Sequence, residues 1–564
     1  MPSEPEAFEL GGIRLGGIVP LLDGAPAECP ATVETRRDAS GRLRIAIRLT
    51  GLDPARPIDS IGMRFEEVRG VARYLRHGYQ SWDGSFFVAP GTPPGDGPPL
   101  KSPALGYAAT AFVPSEGEGV VVLGFARHDR FQSRFRFAGT AEAPTMTVET
   151  LWDRVPHDGA VTSEELVFFA HDEVEAGLAE WARIIATESP LAPRVPTRRI
   201  TGWCSWYNLY AAIDEANIRE HLVAAANFRD RHRVPLDIFQ IDDGFTPEMG
   251  DWLEVKPQFP RGMKPLLADI RATGFTPGLW IAPFMVGNRS RLFAEHPDWV
   301  VRDREAGGPL AQMHFYGEFR WHKRSEEYYI LDVTHPDAEA YIRQVFRTWV
   351  RDWGAGYLKT DFMLFGAEHG PDRAVWHAGG LSRIEIWRRM AALIRDEIGD
   401  TLWLGCGCPL WASVGYVDAI RIGRDVGVTW TGEYSAESLL RDQVTRNHAA
   451  GILWQADPDC VLLRDRFHEL GDSQVELLAR FAAYAGGVLM TSDKLDELSP
   501  ARAALFAELL TTPVAGCAFP GLGHAAPTLL QRVIQPDGGC FDHVLNLTAD
   551  PVGALAAFSS AVRR

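Results

Sequence analysis

From Ile200 onward the chain alternates short apolar runs with amphipathic stretches, and this alternation restricts the fold more than any other feature. The apolar runs fall at 200–206, 236–242, 276–282, 356–361, 401–406, 416–421, 451–455 and 487–491. Continuous apolar runs of this length read as parallel strands buried on both faces. Between the first two, residues 214–232 carry a helical pattern with Asp214 placed as its N-cap. Between the fourth and fifth, residues 382–397 put Ile384, Trp387, Ala391 and Ile394 on one face. Parallel strands need a crossover, most often a helix, and eight βα units over about 300 residues match a TIM barrel. The connections 283–329 and 362–380 exceed the usual lengths, and loops that long tend to carry function.

The flanks have a different texture. Residues 1–190 show short strand-like runs such as 43–49, 120–125, 131–137 and 145–151, punctuated by Gly, Pro and Asp, which predicts an N-terminal β-sandwich. A helix is expected over 174–187, followed by a Pro-rich linker at 189–199. The barrel is expected over 191–500 and a small antiparallel β-domain over 501–564. In the last segment, 531–535 and 542–547 flank Pro536-Asp537-Gly538-Gly539, a hairpin signal.

Composition narrows the function classes. The 564 residues carry a net charge of −17, which disfavours nucleic acid as a partner. No apolar run approaches the ~20 residues of a membrane span, and the acidic start, Met1-Pro2-Ser3-Glu4, lacks a signal-peptide pattern. Seven scattered cysteines do not suggest a disulfide framework. The expectation is a cytoplasmic protein. Phosphate-loop, G-x-S-x-G and H-E-x-x-H motifs are absent.

Candidate chemistry gathers at the strand ends, where barrel enzymes place catalytic groups. Asp361 ends the fourth run, with Lys359 two residues earlier on the same face. A lysine there favours the ionised carboxylate that a nucleophile needs; a structural ion pair at the rim fits equally well. Asp425 follows the sixth run, four residues after Arg421 and next to Arg424, and a surface salt bridge is its plain alternative. Asp242 and Asp243 end the second run, where adjacent carboxylates repel unless a metal ion or sugar hydroxyls meet them. Trp206, Tyr207 and Trp280 sit at strand ends and offer apolar faces with polar edges, as sugars require, while Trp203 reads as core. In Cys406-Gly407-Cys408-Pro409, two cysteines without a nearby histidine pair make a weak zinc signal, and Cys406 reads as a small group lining a pocket.

These residues give the chain a resemblance to the retaining α-galactosidases of glycoside hydrolase family 36, in their shorter bacterial form. It is carried, in family order, by Gly202-Trp203-Cys204-Ser205-Trp206-Tyr207, Phe239-Gln240-Ile241-Asp242-Asp243, Gly278-Leu279-Trp280-Ile281-Ala282-Pro283-Phe284, Lys359-Thr360-Asp361, Gly405-Cys406-Gly407-Cys408-Pro409 and Arg421-Ile422-Gly423-Arg424-Asp425. The resemblance implies a β-supersandwich, a catalytic (β/α)8 barrel and a C-terminal β-domain. It implies Asp361 as nucleophile and Asp425 as acid/base, with Asp242 and Asp243 on the galactose O4 and O6 hydroxyls. Lys359 and Arg421 would hold other ring hydroxyls, Trp280, Trp206 and Tyr207 would line the pocket, and Cys406 would lie near C2. In Gly78-Tyr79-Gln80-Ser81-Trp82 it implies that Trp82 reaches over the barrel mouth. The chain departs from longer members at Ala282-Pro283-Phe284 and from many members at Arg424, which puts a charge beside the acid/base.

The expected activity is exo-acting hydrolysis of terminal α-linked galactose from raffinose- or melibiose-type oligosaccharides by double displacement. Same-site alternatives are an α-N-acetylgalactosaminidase and a transgalactosylase. More distant ones are a metal-dependent barrel enzyme and a non-catalytic sugar-binding protein. No metal and no cofactor are expected, and the partner is a small-molecule α-galactoside rather than nucleic acid or membrane. A homo-oligomer stays open.

Overall fold

The computed structural model describes residues 7–93, 102–314, 325–432, 435–466, 469–524 and 526–563. Its centre is a nine-stranded parallel sheet. Along that sheet the strands run Gln455–Asp457, Ala419–Arg421, Leu402–Gly405, Tyr357–Thr360, Thr276–Ile281, Ile238–Ile241, Thr201–Cys204, Leu489–Thr491 and Cys460–Val461. The two end strands are separated in sequence by Pro458 and Asp459 alone. Pro458 cannot donate to a ladder, and Asp459 adopts a left-handed φ of 77°, so one length of chain breaks into two short strands. The first piece pairs with Ala419–Arg421 and the second with Leu489–Thr491. Across the gap the Val488 N–H donates to the Ala456 carbonyl at 2.8 Å. The sheet therefore curls until its ends meet.

Seven of the expected runs contain the observed strands. The run at 451–455 does not: Ile452 and Leu453 lie in a turn after the 3-10 segment Asn447–Ala449, Trp454 makes an isolated bridge to Ala450, and the strand starts at Gln455. Leu453 and Trp454 are fully buried, so their apolar character reports burial rather than extended backbone. The helices follow their caps. Glu215–His232 starts at a capping box made by Asp214 and Asn217, and Arg383–Ile398 at one made by Ser382 and Glu385. Ile384, Trp387, Ala391 and Ile394 are all buried.

The two long connections carry secondary structure of their own. Met285–Gly287, Ala311–His314 and Glu327–Ile330 form a three-stranded sheet beside the helix Arg291–Glu295. Residues 315–324, part of the expected functional loop, lie outside the described residues. In the second connection Ala374–Val375 pairs with Arg302–Asp303. Connections of this length seldom stay structureless in a compact protein.

N-terminal to the parallel sheet, a seven-stranded and an eight-stranded antiparallel sheet enclose a core that includes Phe8, Ile45, Phe65, Phe112, Val121, Leu123 and Phe135. The strand Val120–Phe125 is buried at every position. Val121, Leu123 and Phe125 fill this core, whereas Val120 and Val122 join the hydrophobic cluster shared with the parallel-sheet region. Side chains alternate along a strand, so one strand serves two cores. Helix Val174–Glu188 lies between them, its Trp181 indole donating to the Phe125 carbonyl at 2.9 Å. The C-terminal segment 501–564 opens within a helix, Pro500–Thr511, rather than a strand, and Phe506 packs 5.6 Å from Phe228. A four-stranded antiparallel sheet follows, with the expected hairpin between Leu529–Ile534 and Cys540–Leu545.

Three buried histidines sit where the N-terminal sheets meet the parallel-sheet region. His77 lies 5.0 Å from Trp411 and 5.6 Å from His448, and His128 lies 6.0 Å from Trp181. Burial pushes His128 down to about 4, His448 down to about 3 and His77 well below the usual imidazole range. All three are therefore neutral when folded and free to charge near pH 6.5 when unfolded. Their folded pKa values are depressed, so the unfolded chain takes up more protons as the pH falls below about 6.5. Stability is expected to fall by up to about 1.4 kcal/mol per pH unit per histidine over that range. Calorimetry from pH 7 to about pH 4.5 checks this, and a level melting temperature would contradict it.

Candidate active site

The C-terminal ends of the fourth and third strands set Asp361. Its backbone N–H donates to the Ile281 carbonyl at 2.8 Å, and its side chain accepts from the Trp280 indole at 3.1 Å and from the Phe362 N–H at 2.9 Å. Phe362 takes a left-handed φ of 52° immediately after it, a backbone state that a bulky residue holds only when its surroundings enforce it. Lys359 points into the same interior and donates to Asp242 at 3.0 Å. Burial opposes its charge, but Asp242 and Asp361 outweigh that and hold the ammonium well above the ordinary lysine range. Asp242 also accepts from Gln240 at 2.6 Å and from the Cys204 thiol at 3.4 Å. Asp243 is buried beside it, and its N–H donates to Asp242 at 2.9 Å. Among the described residues no group of three or more His, Cys, Asp or Glu is arranged to hold a metal ion.

A second cation organises the opposite side. Arg421, at the end of the sixth strand, donates through Nη1 to Asp425 at 3.0 Å, through Nε to Asp457 at 3.2 Å and through Nη2 to Asp459 at 2.8 Å. Asp425 alone of these carboxylates stays open to solvent, with a side chain 42% exposed. Arg424 is buried and engaged elsewhere, its Nε 3.8 Å from Asp442. The charge next to Asp425 in sequence is thus answered by a different carboxylate.

Cys406 ties the two sides together. Burial raises its thiol most, Asp361 and Asp425 push the same way, and Arg421 and Lys359 oppose them. One buried sulfur thus feels both carboxylates and both cations of the site. Tyr207 is buried and donates through its hydroxyl to Asp459. Trp206 is half-buried and shares the edge of the Cys406 cluster with Trp82. Trp203 is core, stacked 4.4 Å from Phe239 with its indole bonded to the Asp493 carbonyl.

Trp82 arrives from the N-terminal sheets. The loop that carries it is bonded to the mouth of the parallel sheet by Gly407 N–H to Ser81 at 3.0 Å, and Leu410 N–H to the Tyr79 carbonyl at 3.1 Å. Fully buried Arg446 donates to the carbonyls of both Ser81 and Ile422. The Trp82 ring lies 5.1 Å from Phe362, edge-on. Gly407 makes this approach feasible. Its φ is +59°, and a Cβ there would stand 3.0 Å from the Trp82 ring and 3.2 Å from the Phe362 nitrogen.

Asp242, Asp243, Lys359, Asp361, Cys406, Arg421 and Asp425 thus lie at or just beyond the ends of strands of one sheet, and Trp82 lies on the loop bonded over it. Asp457 and Asp459 were missed. The signal was present in Asp457-Pro458-Asp459-Cys460, two carboxylates around a proline after a buried run, but the seventh strand was placed too early for them to fall at its end.

Cys406 and Cys408 are buried thiols pushed up by their surroundings, whereas Cys540 is exposed. Because the thiolate is the reactive form, brief alkylation of the folded protein at pH 8 is expected to label Cys540 and spare Cys406 and Cys408. Peptide mass spectrometry reads the sites, and early labelling of Cys406 would contradict its burial.

A melibiase family model matches residues 204–370. Among curated relatives, α-galactosidase 2 of Pediococcus pentosaceus is 30% identical over 105 residues, 17% of this chain and 14% of that protein. The α-galactosidase of Escherichia coli is 23% identical over 274 residues, 46% of this chain and 35% of that protein. The chain thus matches only about a third or less of the length of these relatives. A solved structure of TtGalA, an α-galactosidase from Thermus thermophilus in complex with p-nitrophenyl α-D-galactopyranoside, is 25% identical with a TM-score of 0.66, covering 92% of this chain and 98% of that one. The family 36 α-galactosidase AgaA of Geobacillus stearothermophilus shares the fold at 13% identity and a TM-score of 0.62, over 96% of this chain and 80% of that one. The chain is thus similar in sequence to the melibiase family over residues 204–370, and similar in fold to solved α-galactosidases over most of its length.

Proposed function

We propose that the protein is a retaining, exo-acting α-galactosidase. The observation that carries this reading is that the ends of neighbouring parallel strands set Asp361, bonded to the Trp280 indole, with Lys359 on Asp242, and Arg421 bonded to Asp425. TtGalA, similar to this chain over most of its length, has been solved with stachyose as well as with the aryl galactoside, which supports terminal α-galactosyl oligosaccharides as the substrate class.

In this reading the parallel sheet is a (β/α)8 barrel whose seventh strand is split at Pro458-Asp459. The domains proposed are a β-supersandwich with linker over 1–190, the catalytic barrel over 191–500 and a C-terminal β-domain over 501–564. Asp361 is the nucleophile, oriented by the Trp280 indole. Its oxygen attacks the anomeric carbon while Asp425 gives a proton to the departing glycosidic oxygen. The bond to the aglycone breaks and a galactosyl–Asp361 ester forms. Asp425, now ionised, takes a proton from water as that water attacks the same carbon and frees Asp361. Retention requires the two carboxyl groups to stand about 5–5.5 Å apart. The exposure of Asp425 suits a group that exchanges protons with solvent between steps.

Asp242 and Asp243 take the O4 and O6 hydroxyls, and Lys359 and Arg421 take neighbouring ones. Carboxylates built to accept from an axial O4 hydroxyl lose that partner when the hydroxyl is equatorial, which discriminates against glucose. Trp280, Trp206, Tyr207 and Trp82 enclose the ring, and Cys406 lies by C2, where a 2-acetamido group would crowd it.

Asp361→Asn is expected to lower turnover of p-nitrophenyl α-galactoside by at least about 10⁴-fold, as removal of a covalent nucleophile does. NMR of the first-formed sugar in the wild type is expected to show the α-anomer. Wild-type turnover by Asp361→Asn removes the nucleophile assignment, and a β-anomer removes retention. Product analysis with a second sugar present separates hydrolysis from transfer.

A further inference from the structure

Asp459 occupies the break in the seventh strand and has no role in the chemistry described above. It is buried, and its backbone holds a φ of 77° that a non-glycine residue adopts only under constraint. Both of its oxygens are taken on two sides. Oδ1 accepts from Arg421 Nη2 at 2.8 Å and from the Cys460 N–H at 2.7 Å. Oδ2 accepts from the Tyr207 hydroxyl and from the Val426 N–H at 2.7 Å. Val426 is the residue after Asp425, so the same carboxylate holds the guanidinium that touches Asp425 and the backbone that carries it.

We infer that Asp459 is a positioning residue for proton transfer: it fixes the Asp425 loop and draws on the charge of Arg421, so that Asp425 can hold a proton while still bonded to an arginine. The inference rests on the reading of Asp425 as acid/base.

The physical problem it solves is specific. An arginine at 3.0 Å favours the ionised carboxylate, which is the wrong state for the first step. Arg421 is shared, however, with Asp457 and Asp459, both buried, so three carboxylates face one cation. Their mutual repulsion favours keeping a proton in the cluster. Asp459 accepts from four donors, whereas Asp425 accepts from Arg421. The groups facing Asp459 are Arg421 and Asp425 from the sixth strand and its loop, Asp457 from its own segment, Tyr207 from beyond the first strand and Lys359 from the fourth. Burial raises the Asp459 carboxyl, Arg421 pulls it back, and Asp425 and Asp457 push it up again, leaving it above the usual range.

The test measures kcat/KM against pH for wild type, Asp459→Asn, Tyr207→Phe and Asp425→Asn. Each is assayed on 2,4-dinitrophenyl α-galactoside, whose leaving group departs without a proton, and on melibiose, whose leaving group needs one. Asp459→Asn is expected to lose about 10–100-fold on melibiose and far less on the dinitrophenyl substrate. The basic limb of its melibiose profile is expected to move to lower pH by about one unit. Tyr207→Phe, which keeps the ring and deletes one donor to Asp459, is expected to move the limb the same way by less. Equal losses on both substrates with an unmoved limb would overturn the inference. If Asp459→Asn does not fold, an unmoved limb in Tyr207→Phe overturns it. If Asp425→Asn itself fails to discriminate between the substrates, the acid/base assignment fails instead.

Discussion

Carboxylates taken out of water demand cations, and that demand organises this protein around one rim. Asp242, Asp243, Asp361, Asp457 and Asp459 are all buried there. Leaving one such charge without its partner costs about 3–5 kcal/mol. Lys359 and Arg421 supply the compensation from inside the sheet, Lys359 bonded to Asp242 and Arg421 to Asp457 and Asp459. The two cations stand on different strands, so the strand order determines which carboxylates they reach. A site with more buried carboxylates than cations is also well suited to a ligand that brings many hydroxyl donors.

The same principle fastens the N-terminal sheets to the mouth. Arg76 and Asp83 form an ion pair at 2.6 Å with both side chains fully buried. Asp83 in turn accepts from the Tyr79 N–H at 2.7 Å, which shapes the loop that ends in Trp82. Arg446 then bonds that loop to the backbone at Ile422, three residues before Asp425. The roof over the pocket and the loop of the acid/base candidate are therefore held by one guanidinium. Buried polar networks are rigid when fully satisfied, and rigidity here keeps an aromatic wall at a fixed height above Phe362 and Gly407.

Much of this was legible in the chain. Lys359 and Asp361 fall two apart on a strand, so their common direction follows from the period of extended backbone. The capping residue Asp214 located the start of its helix because a side-chain oxygen there answers free N–H groups. The seventh strand was misplaced because burial and extended structure leave the same apolar signature, and Leu453 and Trp454 are buried in and just after a turn. The long connections hid small sheets because strands as short as Met285–Gly287 or Ala374–Val375 carry too few residues for a periodicity. The role of Arg424 was obscure because sequence adjacency to Asp425 gave no sign of Asp442, toward which its side chain reaches.

By itself the sequence determined the alternation of strands and helices, the β-rich flanks and the residue types at each strand end, because these depend on local period and on side-chain chemistry. Which carboxylate answers which cation was decided only by the tertiary structure. Asp242 finds Lys359 across 117 positions and Asp459 finds Tyr207 across 252. Pairings that distant are set by how the sheet curls and where its seventh strand breaks, and no local pattern encodes that distance.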